Sequence, residues 1–77
     1  MVSELVAFVV RNLVAEPEQL EISARDNGRD LVIEIRCAEA DAGRIIGRGG
    51  RTINSIRTLA RAASEGQERV EVQLLEK

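Results

Sequence analysis

Histidine, tryptophan and tyrosine are absent from this 77-residue sequence, and cysteine, proline and phenylalanine occur once each. A lone Cys37 excludes an intrachain disulfide, and without histidine there is no credible zinc site. Cys37 falls on an apolar face, where it reads as a small core residue rather than a reactive thiol. The single aromatic, Phe8, is assigned to the core, which leaves no aromatic platform on which a flat ligand could stack. No apolar run approaches the roughly 20 residues that cross a bilayer. Leu5 to Val10 gives way to Arg11 and Asn12, and has neither the basic start nor the cleavage site of a secretory leader. A cytoplasmic protein with no membrane partner is expected. No histidine, activated cysteine or carboxylate pair stands near the glycine-rich segment to act as acid, base or nucleophile, so no catalytic residue is assigned and an enzyme is not expected.

What is present is an ordinary globular balance, 44% hydrophobic and 31% charged. Such a chain has room for one core, and 1–77 reads as one domain that buries only about 60% of the surface its unfolded chain exposes. The net charge of −2 argues against a nucleic-acid partner, but the distribution of that charge argues for one. The window 42–64 holds Arg44, Arg48, Arg51, Arg57 and Arg61 with no acidic residue and is +5; the other six basic and thirteen acidic residues make −7.

Hydrophobic periodicity lays out the elements. Ser3 and Glu4 suit a helix start. Leu5, Val6, Val9 and Leu13 then recur at helical spacing, with Phe8 and Val10 widening the apolar face, until Pro17 ends the helix. Leu20, Ile22 and Ala24 alternate with polar residues as a strand. Asn27-Gly28 can supply the two positive φ angles of a type I′ turn, so Leu31, Ile33, Ile35 and Cys37 should pair back as a hairpin. Glu39 and Asp41 suit a first helical turn, with Ala42, Ile45 and Ile46 lining one side of a short helix that stops at Gly47. Ile53, Ile56, Leu59, Ala60 and Ala63 mark another helix, which Gly66 is placed to cap. Val70, Val72 and Leu74 alternate as a last strand. The order α-β-β-α-α-β, with a long crossover between the second and third strands, predicts an α+β fold: a three-stranded mixed sheet with three helices on one face. The outer sheet face near Val32 and Leu75 is either ordinary surface or a dimer contact.

The informative stretch is Gly43-Arg44-Ile45-Ile46-Gly47-Arg48-Gly49-Gly50-Arg51-Thr52-Ile53. Glycines let the chain turn sharply and let another backbone approach. The following helix points free N–H groups and its positive dipole end at the loop, which favours a phosphate. Arg44, Arg48 and Arg51 surround that place with permanent cations. Two nucleotide motifs fail on spacing. A P-loop ending at Thr52 would need glycine at Ile45 and lysine at Arg51. A dinucleotide fingerprint from Gly47 meets Thr52 where its last glycine belongs, and it follows a helix instead of a strand. Neither a cofactor nor a small-molecule substrate is expected.

The remaining pattern, Ile46-Gly47-Arg48-Gly49-Gly50-x-x-Ile53, resembles the KH family signature, a G-x-x-G loop flanked by isoleucines. The element order is similar to the bacterial type II KH fold, and the resemblance runs from about Leu5 to Leu75. Asp41 to Gly47 and Gly50 to Ile53 through Arg57 are similar to small bacterial proteins built of one KH domain. The resemblance implies a non-enzymatic protein that binds single-stranded RNA, or single-stranded DNA, as an RNA chaperone or post-transcriptional regulator. In that family the loop clamps the backbone of about four nucleotides while bases lie along an adjacent apolar groove. By carry-over, Gly47 and Gly50 bracket the loop, Arg48 and Gly49 meet phosphate, and Ile46 and Ile53 hold the flanking helices together. Arg44 and Arg51 complete the implied RNA-binding set, and Ile46, Ile53 and Ile35 are the candidates for apolar contact. Gly49 departs from the longer polar side chain many such loops carry. Arg57 and Arg61, four residues apart, are either a phosphate track or a solvated stripe. One domain with few cations binds weakly, so the resemblance also implies a homodimer, or a heterodimer with a larger KH-containing RNA-binding protein. An adaptor that uses KH–KH pairing, with RNA binding secondary, is the alternative.

Overall fold

A computed structural model describes residues 2–76. The elements are α1 (Val2–Arg11), β1 (Glu21–Asp26), β2 (Asp30–Cys37), α2 (Glu39–Ile46), α3 (Arg51–Ser64) and β3 (Arg69–Glu76), with 3₁₀ turns at Pro17–Gln19 and Arg48–Gly50. The sheet order is β1-β2-β3. β1 pairs antiparallel with β2 (Ile22 opposite Ile35), and β3 pairs parallel with it (Val72 beside Ile33). The expected α-β-β-α-α-β architecture with a mixed sheet is therefore present. No helix among the described residues is long and apolar enough to cross a membrane.

Strand alternation sends Leu31, Ile33, Ile35 and Cys37 of β2, with Val70 and Val72 of β3, to one face. All three helices cover that face: Val6 and Val10 from α1, Ile45 from α2, and Ile53, Ile56 and Ala60 from α3 complete the core. Cys37 is buried there, and loss of solvation, followed by the nearby charge of Asp41, raises its thiol pKa and keeps it protonated. On the opposite face Val32 lies beside Glu71, and Leu75 beside Arg36. Arg25 pairs with Glu34 at 3.0 Å on that face, so polar neighbours interrupt the apolar residues.

Several local expectations are corrected. Phe8 is not a core residue; it is 68% exposed. The buried pair Val6 and Val10 is spaced one turn apart, and Phe8, two residues from each, points to the opposite side of the helix. Leu59 and Ala63 are likewise exposed on α3, because the inner stripe runs through Ile53, Ile56, Ala60 and Ser64. α1 begins at Val2, which places Ser3 inside the first turn, and it ends at Arg11, well before Pro17. Asn12 stops it: its side-chain Nδ2 donates to the Phe8 carbonyl at 2.7 Å, and the chain tightens as Leu13 N–H turns to the Val10 carbonyl. Pro17 opens the 3₁₀ turn instead.

At the hairpin, Gly28 has φ 89° but Asn27 does not adopt positive φ, so the type I′ turn is not formed. Asn27 uses its side chain instead, Oδ1 accepting from Arg29 N–H at 2.9 Å and Asp30 N–H at 2.7 Å. α3 ends one residue earlier than Gly66 implies: Glu65 already takes the left-handed conformation (φ 54°), and Gly66 (φ 76°) continues the reversal.

Candidate nucleic-acid interface

α2 and α3 are joined through four residues, three of which have positive φ: Gly47 (75°), Gly49 (64°) and Gly50 (80°). Gly47 N–H closes α2 on the Gly43 carbonyl at 2.9 Å, and Gly50 N–H returns to the Gly47 carbonyl at 3.2 Å. The glycines are required for different reasons. A Cβ on Gly47 would run into the Thr52 side chain and stand 2.9 Å from the Thr52 nitrogen, so close approach as well as conformation demands glycine. At Gly49 the space is open within 4 Å, and only the backbone angle matters. At Gly50 a Cβ would lie 3.7 Å from Asn54 Nδ2, an ordinary contact. Gly50 is the N-cap of the 14-residue α3 and brings no side chain to its first turn, so the positive end of that helix opens toward the loop.

Seven of the eight expected site residues share this junction. Arg48, Gly49 and Arg51 are exposed, Gly47 and Gly50 half-buried, and Arg44 and Ile46 are exposed on the last turn of α2. Ile53 is the exception: at 6% exposure it is a core residue and offers no surface to a ligand, and Ile35 is fully buried. The isoleucine that packs α2 onto the core is Ile45, not Ile46, which is 41% exposed. The inner side of α2 is set by Asp41 and Ile45, one turn apart, and Ile46 is rotated about 100° away from them.

Asp41 lies in the first turn of α2, as expected of a helix-start residue. Its larger role is internal. At 1% exposure its Oδ1 accepts from Ala15 N–H at 2.9 Å and its Oδ2 from Glu16 N–H at 3.0 Å, tying the connection after α1 to α2. Arg44 Nε stands 3.2 Å from the same Oδ1.

Arg57 fits neither expectation offered for it. It is half-buried, and its Nε and Nη2 donate to the Val72 carbonyl at 3.3 and 3.2 Å while Nη1 donates to Asn54 Oδ1 at 3.0 Å. It closes a carbonyl of β3, an edge strand, and links that edge to Asn54 beside Gly50. Arg61 remains exposed. The polar spacing of Asn54 and Arg57 on one side of α3 was the sequence signal for this bridge; nothing in the sequence marks Val72 as its acceptor. Among the described residues no cluster of histidine, cysteine and carboxylate side chains could hold a metal ion.

A mixed three-stranded sheet covered by three helices, with a G-x-x-G loop between the second and third helix, is the type II KH arrangement. A model of the KhpA/KhpB KH domain matches residues 3–74, and the chain belongs to that family. The RNA-binding protein KhpA of Chlamydia pneumoniae is 38% identical over 74 residues, covering 95% of each chain. The KhpA of Leifsonia xyli subsp. xyli is 36% identical over 76 residues, 99% of each, and that of Streptococcus pneumoniae serotype 4 is 32% identical over 76 residues, 99% of this chain and 96% of that one. Among solved structures, Era in complex with MgGDPNP and nucleotides 1506–1542 of 16S ribosomal RNA superimposes with a TM-score of 0.71 at 23% identity. That match covers 99% of this chain but 30% of Era, so the likeness is one of fold over part of the larger protein.

Proposed function

We propose that this chain is a non-enzymatic protein that binds single-stranded RNA by gripping its backbone in the Gly47–Gly50 loop. The observation that carries the reading is the loop itself: three positive-φ glycines at the mouth of α3, with Arg44, Arg48 and Arg51 exposed around them. Chain backbone bare of Cβ atoms admits a phosphate closely, the helix end favours its charge, and guanidinium groups supply permanent cations. Relatives named as RNA-binding proteins over nearly the whole chain support RNA as the ligand. The proposed site is Arg44, Ile46, Gly47, Arg48, Gly49, Gly50 and Arg51. Ile53 supports it from the core, and Ile46 supplies the exposed apolar contact. The unit is the single domain 1–77 acting in the cytoplasm, as an RNA chaperone or post-transcriptional regulator.

Arg48 is exposed and a Cβ on Gly49 meets open space, so Arg48→Asp with Gly49→Asp adds two anions to the loop without touching the core, at the modest strain of a side chain on the positive φ of Gly49. The double variant is expected to stay folded and lose binding to single-stranded RNA in a fluorescence-anisotropy titration. Unchanged affinity in the folded variant would refute the grip. Parallel titrations with single-stranded DNA of the same sequence decide between the two nucleic acids.

A second reading is favoured by the exposed Phe8 and Leu59, large apolar side chains turned away from the core. It is an adaptor pairing with a second copy, or with a larger KH-containing RNA-binding protein. Sedimentation that finds only monomer across the accessible concentration range would refute self-pairing.

A further inference from the structure

Among the loop cations Arg44 differs from Arg48 and Arg51 in one respect. Its Nε lies 3.2 Å from Oδ1 of the buried Asp41, while Arg48 and Arg51 form no ion pair among the described residues. Asp41 cannot swing to follow a mobile partner, because Oδ1 and Oδ2 are also held by the backbone N–H groups of Ala15 and Glu16, at 2.9 and 3.0 Å. The carboxylate is therefore a fixed anchor at 1% exposure, and the side chain it holds is 59% exposed. An arginine tethered through Nε still has its terminal Nη1 and Nη2 groups, four N–H donors in a planar fork that matches two phosphate oxygens. Arg44 lies about one helical turn before Gly47, and its anchor Asp41 about one turn further back on α2.

We infer that Asp41 is a positioning residue for the proposed RNA site, holding Arg44 in one conformation so that its Nη fork is ordered before a backbone phosphate arrives. The inference rests on the reading of that loop as a nucleic-acid grip. Ordering a long side chain before the ligand arrives removes part of the entropy cost of binding, and the buried carboxylate does this for Arg44 alone. The same residue thereby joins the α1–β1 connection to the site: a shift at Ala15 and Glu16 moves the anchor, and with it Arg44.

The test is a double-mutant cycle on the full chain: wild type, Arg44→Gln, Asp41→Asn and the double variant, each checked for folding by its amide NMR spectrum. The probe is a short, fluorescein-labelled single-stranded RNA of mixed sequence. Arg44→Gln is expected to weaken binding about tenfold, the scale of one charge-assisted hydrogen bond. It should also make the log–log salt slope shallower by about 0.7. Asp41→Asn should weaken binding about three- to fivefold when Arg44 is present and leave the Arg44→Gln protein unchanged, since there is then nothing to position. An equal loss in both backgrounds would reduce Asp41 to a structural residue and overturn the inference while the grip stands. Wild-type protein that binds no RNA would refute the grip itself. Relaxation of the arginine Nε–H groups in the wild type keeps the test open should Asp41→Asn unfold: Arg44 is expected to be more ordered than Arg48 and Arg51, and equal mobility of the three overturns the inference.

Discussion

Gly47→Ala and Gly49→Ala place the same methyl group two residues apart in one loop, and the structure gives them very different costs. Gly47 has φ 75° and ψ 173°, a region all but closed to residues with a Cβ, and occupying it costs about 1–3 kcal/mol. The new Cβ would also collide with the Thr52 side chain and lie 2.9 Å from the Thr52 nitrogen. The start of α3 has to shift, and overpacking of this kind costs about 1–3 kcal/mol more. Together about 2–6 kcal/mol is lost from a domain whose whole stability, at its length, is about 4–12 kcal/mol. Gly49, at φ 64° and ψ 18°, is in the ordinary left-handed region with open space around it. Alanine there costs about 1 kcal/mol. At about 4–8 °C per kcal/mol for a domain of this size, Gly49→Ala should lower Tm by about 4–8 °C and Gly47→Ala by at least about 8 °C and more than Gly49→Ala. Far-UV circular dichroism melts read both. Equal shifts, or a larger one for Gly49→Ala, would show that the contact with Thr52 does not govern the loop.

Asp41→Ala strands two backbone N–H groups that the carboxylate now satisfies, and urea unfolding should show a loss of about 3 kcal/mol or more. A loss under about 1 kcal/mol would refute its role as the tie between α2 and the chain after α1. Phe8→Ser should change stability by less than about 0.5 kcal/mol in the same assay, because the ring lies on the solvent side of α1. A buried phenylalanine would cost about 3–5 kcal/mol, and a result of that size would return Phe8 to the core. Glu68 has its pKa raised, first by hydrogen bonding to the Asp26 carboxyl and then by desolvation and the charges of Asp26 and Asp30; Asp26 is lowered by the same shared proton. The folded state thus holds the Glu68 proton more tightly than the unfolded chain does. That contribution to stability is present at low pH and is lost as pH rises through the raised value. Glu68→Gln should therefore raise Tm near neutral pH, and the gain should vanish as pH falls below the ordinary glutamate value of about 4.3. A gain that grew with acidity would contradict the shared proton.

Much of the fold was legible because period-two alternation in Leu31, Ile33, Ile35 and Cys37, and again in Val70 and Val72, has a single reading when one face is buried. The loop was legible because its glycines are needed by backbone geometry that no other residue adopts cheaply. Phe8 was misread because an apolar residue carries no mark of the side it faces; only the phase set by Val6 and Val10 decides it. Ile46 is expected beside Ile45 on the inner side for the same reason, since adjacent isoleucines on a helix differ only in phase, and only Ile45 is buried. Asn27 suggests a turn through its backbone tolerance, but it is the Asn27 side chain that makes the turn. Asp41 and Arg57 were out of reach for another reason: their partners, Ala15, Glu16 and Val72, are backbone groups that tertiary packing brings to them, and the sequence leaves no trace of such acceptors and donors.

The grip on a nucleic-acid backbone is tested most directly by the salt dependence of binding, measured side by side for the wild type and the Arg48→Asp, Gly49→Asp variant. A loop that clamps about four nucleotides, each neutralised phosphate contributing about 0.7, gives a log–log slope of about −2 to −3 for single-stranded RNA. The wild type should show that slope, and the folded variant should show neither the slope nor the affinity. Wild-type binding that is flat in salt, or a variant whose titrations superimpose on those of the wild type, would contradict the account.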